Sequence, residues 1–222
     1  MTRVVLFDLD GTLVDTARDL GLALNEMRHS RGLEPVADTL IRAQASHGAR
    51  GLLRIGFGLV PTDDGYEAMR QEFLDIYAGR LTTSSTLFPG MADVLEAIEA
   101  RDMRWGVVTN KPARFTEPLL DHLGLGSRAA CVVCGDTCPR PKPHPDPLFH
   151  ACRQTDARPQ DCLYVGDAQR DVEAATAAGM PTLVALYGYI AEEDRPREWG
   201  ARGYIDRPLD LLGYLNIGPR SP

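Results

Sequence analysis

Apolar positions recur along this chain with two different periods. Val4-Val5-Leu6-Phe7 is an unbroken apolar run, the pattern of a short strand buried on both faces. Trp105 to Thr109, Cys131 to Cys134, Leu163 to Val165 and Thr182 to Leu186 predict further strands. Between these runs the period lengthens. Met91, Val94, Leu95 and Ile98 keep helical spacing, as do, more loosely, Phe115, Leu119, His122 and Leu123 ahead of a C-capping Gly124. Val172, Ala175 and Thr176 precede Gly179 in the same way. Strand and helix in alternation predict parallel crossovers and an α/β, doubly wound parallel sheet. In such sheets the ligand sits beyond the carboxyl ends of the strands.

One stretch interrupts the alternation. Residues 16–81 carry helical patterns and no strand pattern. Thr16 and Asp19 have the spacing of a capping box, and Leu20, Ala23, Leu24 and Met27 form an apolar stripe. Tyr66, Met69, Phe73, Ile76 and Tyr77 form another. A helical block directly after the first strand reads as a cap, 16–81, inserted into a core made of 1–15 and 82–222. The tail from Leu212, with Gly218, Pro219 and Pro222, reads as loosely held.

Composition narrows the class. The 222 residues give room for one sizeable domain with a small insert, and a net charge of −7 argues against nucleic acid or an anionic membrane as partner. No apolar run approaches the roughly 18 residues of a spanning helix. The first apolar run is too short for a signal peptide and is broken by Asp8 and Asp10, so a cytoplasmic location is expected. The cysteines number five, an odd count that suits a reducing compartment. Cys131, Cys134 and Cys138 have loosely finger-like spacing, but two lie on an expected buried strand; they read as small hydrophobes rather than zinc ligands.

The polar residues that follow these strands carry the chemistry. In Phe7-Asp8-Leu9-Asp10-Gly11-Thr12-Leu13, alternation along the strand places Asp8 and Asp10 on one side as it ends. Two carboxylates so close repel unless a proton or cation joins them, and Mg²⁺ favours such oxygen ligands. Gly11 lets the chain turn and Thr12 adds a hydroxyl. Val108-Thr109-Asn110-Lys111-Pro112 ends a strand with a hydroxyl and an amide before a helix start, a cradle for phosphate. Pro141-Lys142-Pro143 stiffens a loop around a lysine. Gly166-Asp167 ends another strand with an acid able to complete a metal site with Asp8 and Asp10, and Asp171 follows.

Acid pair, Thr, Lys and Gly-Asp, in that order, resemble the haloacid dehalogenase-like superfamily, in its phosphatase branch with a helical cap. The resemblance spans essentially the whole chain. Within the branch it is similar to phosphoglycolate phosphatases, and to N-acetylmuramic acid 6-phosphate phosphatases of cell-wall recycling. The latter likeness rests on His47-Gly48-Ala49-Arg50-Gly51, Thr109 to Phe115, Tyr187-Gly188-Tyr189-Ile190 and Trp199-Gly200-Ala201. The resemblance implies a Rossmann-like core and a Mg²⁺-dependent phosphomonoesterase acting on a small phosphorylated metabolite, as monomer or homodimer. Asp8 would be the nucleophile and Asp10 the general acid and base. Thr109, Asn110 and Lys142 would hold phosphate, and Gly11 and Thr12 would also bind it. Asp8, Asp10 (through its carbonyl) and Asp167 would bind metal, with Asp171 orienting Lys142 or a metal-bound water.

Substrate choice is expected in the cap, because the core reads only phosphate. Arg50 suits a substrate carboxylate, with His47 and Arg114 as further candidates, and Tyr187 or Tyr189 as platforms for a sugar face. Two other readings stay open. A phosphosugar mutase shares the catalytic core. A phospho-accepting signalling module also uses strand-end acids, Mg²⁺, Thr and Lys, but has no helical insert after its first strand.

Overall fold

The computed structural model describes residues 2–217. In chain order its strands are β1 (Val4–Phe7), β2 (Val14–Asp15), β3 (Thr86–Leu87), β4 (Arg104–Val108), β5 (Val132–Val133), β6 (Cys162–Gly166), β7 (Thr182–Ala185) and β8 (Gly203–Ile205). Six of them form one parallel sheet in the order β5-β4-β1-β6-β7-β8. The apolar run Val4–Phe7 thus lies at the centre, paired with β4 on one side and β6 on the other.

Alternation along β1 divides its side chains between two cores. Val5 and Phe7 enter a larger cluster with Met91, Leu95 and Leu119, while Val4 and Leu6 enter a smaller one with Leu148, Ala151 and Ala175. The first set lies on α5 (Met91–Glu99) and α6 (Ala113–His122), the second on α7 (Asp146–Gln154) and α8 (Gln169–Ala178). Helices therefore cover both faces, the arrangement that all-parallel sheets require. All four β1 side chains are fully buried, each stabilising the fold by about 1.5–3 kcal/mol relative to exposure.

Residues 16–81 form α1 (Ala17–His29), α2 (Asp38–Gln44), α3 (Gly48–Phe57) and α4 (Tyr66–Ala78), with a 3₁₀ turn at Ala45–His47. These helices pack on one another around Leu24, Met27, Leu52 and Phe73. The chain leaves and re-enters the sheet region through β2 and β3, which pair antiparallel, Val14 with Leu87 and Asp15 with Thr86.

Several expectations need correcting. The Cys131 to Cys134 strand shrinks to Val132–Val133, although Cys131 and Cys134 are buried as expected. Strands β2, β3 and β8 have only two or three residues, too short for periodicity to announce them. Thr16 and Asp19 form no capping box. The Thr16 hydroxyl donates to Asp10, and Asp19 accepts from the Ser84 and Ser85 backbone N–H groups and the Ser85 hydroxyl. The amides opening α1 are satisfied instead by the phenol oxygen of Tyr189, which accepts from Thr16 N at 2.7 Å and Ala17 N at 2.9 Å. The tail is not loose from Leu212. A short helix, α9 (Leu211–Tyr214), anchors it, and Leu211, Leu215 and Ile217 are buried. Gly218, Pro219 and Pro222 lie outside the described residues.

Candidate active site

The carboxyl ends of β1, β4 and β6 bring Asp8, Thr109 and Asp167 together on one edge of the sheet. Asp8, Asp10, Thr109, Lys142 and Asp167 line a cavity of about 640 Å³. The helical unit closes its other side with Ser46, His47, Arg50, Tyr66, Arg70 and Tyr77.

Asp8 is 2% exposed, and its two oxygens have different surroundings. Oδ1 accepts from the Leu9 N–H at 2.7 Å and lies 3.0 Å from Lys142 Nζ. Among the described residues, Oδ2 accepts no hydrogen bond, and its cationic neighbour is the Arg170 guanidinium at 3.9 Å. Burial pushes Asp8 above the usual carboxylate range; Lys142 opposes this and Asp171 adds to it. Lys142 is itself buried. Its Nζ donates to the Val108 carbonyl at 2.9 Å and to Tyr164 Oη at 2.7 Å, and lies 2.7 Å from Asp171 Oδ1. Burial opposes the charge of Asp171, but Lys142 and Arg170 more than offset it and hold that carboxyl low.

Asp167 is 1% exposed and accepts from the Thr12 hydroxyl, the Ser46 hydroxyl and the Tyr189 N–H. Burial, then the charges of Asp8 and Asp171, push it up to about 7. Space for this carboxyl depends on glycine. Gly11 has φ +85°, and a Cβ there would overlap the Asp167 carboxylate. A Cβ on Gly188 would overlap both the Asp167 side chain and the Gly11 carbonyl.

A divalent cation fits this arrangement. Among the described residues, oxygens of Asp8, Asp167 and Asp171 converge within 4.8 Å of one another. Asp171 already serves Lys142 and the Ala168 N–H, which leaves Asp8 and Asp167 as the under-compensated pair. Buried carboxylates with no His or Cys among them match a hard cation such as Mg²⁺.

The other expected residues divide. His47 and Arg50 line the cavity, and Arg50 makes no hydrogen bond or ion pair with any described residue. Partial desolvation, with Arg170 and Arg50 close by, lowers His47. Asn110 lines the cavity, but its side chain clamps the Lys142 backbone, Oδ1 accepting from N at 3.0 Å and Nδ2 donating to O at 2.8 Å. Gly11 and Thr12 shape Asp167 rather than the cavity wall. Arg114 lies off the cavity, exposed, with its guanidinium 4.5 Å from the Phe115 ring centre. Tyr187 also lies off it, donating to the Thr12 carbonyl and packing on Phe88. Tyr189 borders the cavity but is 2% exposed and is occupied at the start of α1. Gly51 makes room for His47 and Gln44.

Four contributors went unassigned on the sequence. Lys111 donates to Asp10 Oδ1 at 2.9 Å, and Arg170 has a buried Nε without a partner. Ser46 reaches Asp167 at 2.7 Å, and Trp199 lines the cavity. Lys111 follows Thr109 and Asn110 in the motif already quoted, and Arg170 lies between Asp167 and Asp171, so a basic residue within a motif was the available signal. Nothing local marks Ser46, whose partner is distant in the chain.

The sequence pattern of haloacid dehalogenase-like hydrolases matches residues 5–185. The chain belongs to this family. As a member it is an enzyme, and its curated relatives are named phosphatases. It is 46% identical to the N-acetylmuramic acid 6-phosphate phosphatase of Pseudomonas putida over 214 residues, covering 96% of each chain. It is 40% identical to the phosphoglycolate phosphatase of Xylella fastidiosa over 221 residues, covering 99% of this chain and 95% of the relative. The fold is similar to a crystal structure from Haemophilus somnus described as a predicted phosphoglycolate phosphatase. That match has a TM-score of 0.84 and 28% identity, and covers 96% of this chain and 98% of the other.

Proposed function

We propose that this hydrolase is a phosphomonoesterase working through an aspartyl-phosphate on Asp8, with residues 16–81 acting as a substrate-selecting cap. The observation that carries the reading is the asymmetry of Asp8: Oδ1 is pinned by Leu9 N–H and Lys142, while Oδ2 remains for attack on phosphorus. Asp10 has the same asymmetry. Its Oδ1 accepts from Thr16 at 2.6 Å and Lys111 at 2.9 Å, leaving Oδ2 to protonate the leaving alkoxide and then take a proton from the attacking water. The Thr109 hydroxyl, Lys142 and the Arg170 guanidinium supply donors and positive charge for the phosphate oxygens. Asp8, Asp167 and the Asp10 carbonyl would hold Mg²⁺, which when bound offsets the repulsion between a carboxylate nucleophile and a dianionic ester.

The substrate we favour is a phosphorylated carboxylic acid, and of the two candidates the bulkier N-acetylmuramic acid 6-phosphate. A cavity of about 640 Å³ has the size of sites for drug-sized ligands, far beyond a two-carbon ester. Arg50, on the cavity wall and without a hydrogen bond or ion pair to any described residue, suits the lactyl carboxylate. The covalent reading is tested by acid-quenching the enzyme during turnover of a labelled monoester in Mg²⁺. Label on the peptide containing Asp8 is expected; turnover with label on another residue, or on none, contradicts it.

A further inference from the structure

Lys111 joins the two units of the molecule at the acid and base. It stands in the loop between β4 and α6 and is 9% exposed. Its Nζ donates to Asp10 Oδ1 at 2.9 Å and to Tyr77 Oη at 2.6 Å, and lies 4.7 Å from the Tyr77 ring centre. Asp10 and Lys111 belong to loops of the sheet unit, whereas Tyr77 belongs to α4 of the helical unit. The tyrosine is fixed from both sides. Its ring stacks on Phe73 of α4 at 6.2 Å between centres and meets Phe115 of α6 at 5.5 Å.

A buried ammonium is costly unless its charge is paired and its hydrogens are accepted. Here Asp10 Oδ1 is one acceptor whether or not Oδ2 carries a proton, Asp10 adds the opposite charge when ionised, and Tyr77 is a second acceptor. Burial opposes the lysine's charge, but Asp10 and Tyr77 outweigh it and hold the group cationic. Burial also pushes the Tyr77 phenol up to about 12, so it stays a neutral hydroxyl at working pH. The lysine and Thr16 together take up Oδ1 of Asp10 and set the direction of Oδ2.

We propose that Lys111 is a positioning residue that aims Asp10 for proton transfer, and that Tyr77 makes this aim depend on the helical unit being docked. With α4 in place, Nζ has two fixed acceptors and Asp10 is held. With α4 withdrawn, water replaces the phenol, the lysine gains freedom and Asp10 loosens. Proton delivery is thereby reserved for the closed, substrate-filled site. This inference rests on the aspartyl-phosphate reading above. In the step concerned, Asp8 Oδ2 forms a bond to phosphorus, the phosphorus–oxygen ester bond breaks, and the Asp10 proton passes to the departing alkoxide.

The test uses two esters of similar bulk and without carboxylates. Benzyl phosphate leaves as a strongly basic alkoxide and needs the proton; 4-nitrophenyl phosphate leaves as a stable phenolate and does not. The readout is kcat/KM, which reports steps only through formation of the aspartyl-phosphate. For Lys111→Met, kcat/KM on benzyl phosphate is expected to fall at least about tenfold further than on the nitrophenyl ester, within the usual span of general acid effects. Lys111→Arg should restore most of that difference. Tyr77→Phe removes only the hydroxyl from a ring held by Phe73 and Phe115. It should shift the ratio the same way by about threefold, and it decides the matter where Lys111→Met does not fold. Equal losses on both esters in the variants overturn the inference and leave the phosphatase reading standing. A wild-type enzyme that releases phosphate from neither ester, nor from N-acetylmuramic acid 6-phosphate or phosphoglycolate, overturns both.

Discussion

Asp8 offers one oxygen to the protein and one to the cavity, and Asp10 repeats the arrangement two residues later. If Asp8 is the nucleophile, as proposed, Asp8→Asn should fold normally and retain less than about 1% of wild-type turnover, the scale of nucleophile deletions elsewhere. Phosphate release checks this; higher activity, once deamidation is excluded, would assign attack to another group. Asp167 is the other acid short of positive charge. Chelation should abolish turnover and Mg²⁺ restore it, and Asp167→Ala should raise the Mg²⁺ required or end turnover; activity in excess chelator would remove the metal from the account. The acids, Thr109 and Lys142 were legible because each ends a strand or stiff loop whose pattern is local. Arg114 and Tyr187 were misplaced because a sequence shows which residues neighbour a motif, not which way a helix or loop turns them. Ser46 was invisible because its contact with Asp167 exists only once the helical unit is packed on the sheet.

At the scale of elements, the junction between sheet and helices is built from small parts. The two-residue strands β2 and β3 pair, Tyr189 satisfies the first amides of α1, and Asp19 gathers the backbone of Ser84 and Ser85 beside β3. Asp19→Ala removes three hydrogen bonds from a fully buried carboxylate and leaves two N–H groups to find new partners. A loss of about 1–3 kcal/mol in unfolding free energy is expected, measured by denaturant titration. An unchanged midpoint would mean that these bonds add nothing to folding. None of this junction was readable from periodicity, since its strands have two residues each and its hydrogen bonds link distant segments. The main helices and the central sheet were readable, because α1, α4, α5, α6 and α8 keep an apolar face and β1 is apolar throughout. On α3, Arg50 lines the cavity and is unpaired among the described residues. Arg50→Ala should lower kcat/KM for a carboxylated substrate at least about tenfold more than for 4-nitrophenyl phosphate, the range of a charged hydrogen bond. Equal losses would give Arg50 a role in phosphate binding or folding.

For the whole molecule, the parallel sheet places its acids at one edge and the four-helix insert encloses the space above them. The division of labour follows from chemistry. On the proposed reading, groups on the sheet meet the phosphate, common to all substrates, and groups on the helices meet what differs. The central claim is that the enclosed space selects a phosphorylated sugar acid. The measurement that tests it most directly is kcat/KM for N-acetylmuramic acid 6-phosphate, phosphoglycolate and nucleoside monophosphates, side by side in Mg²⁺ with the wild-type enzyme. A preference of at least about tenfold for the sugar acid, roughly 1.4 kcal/mol in transition-state binding, is the predicted result. A preference for phosphoglycolate, or rapid hydrolysis of nucleotides with both acids untouched, would contradict it.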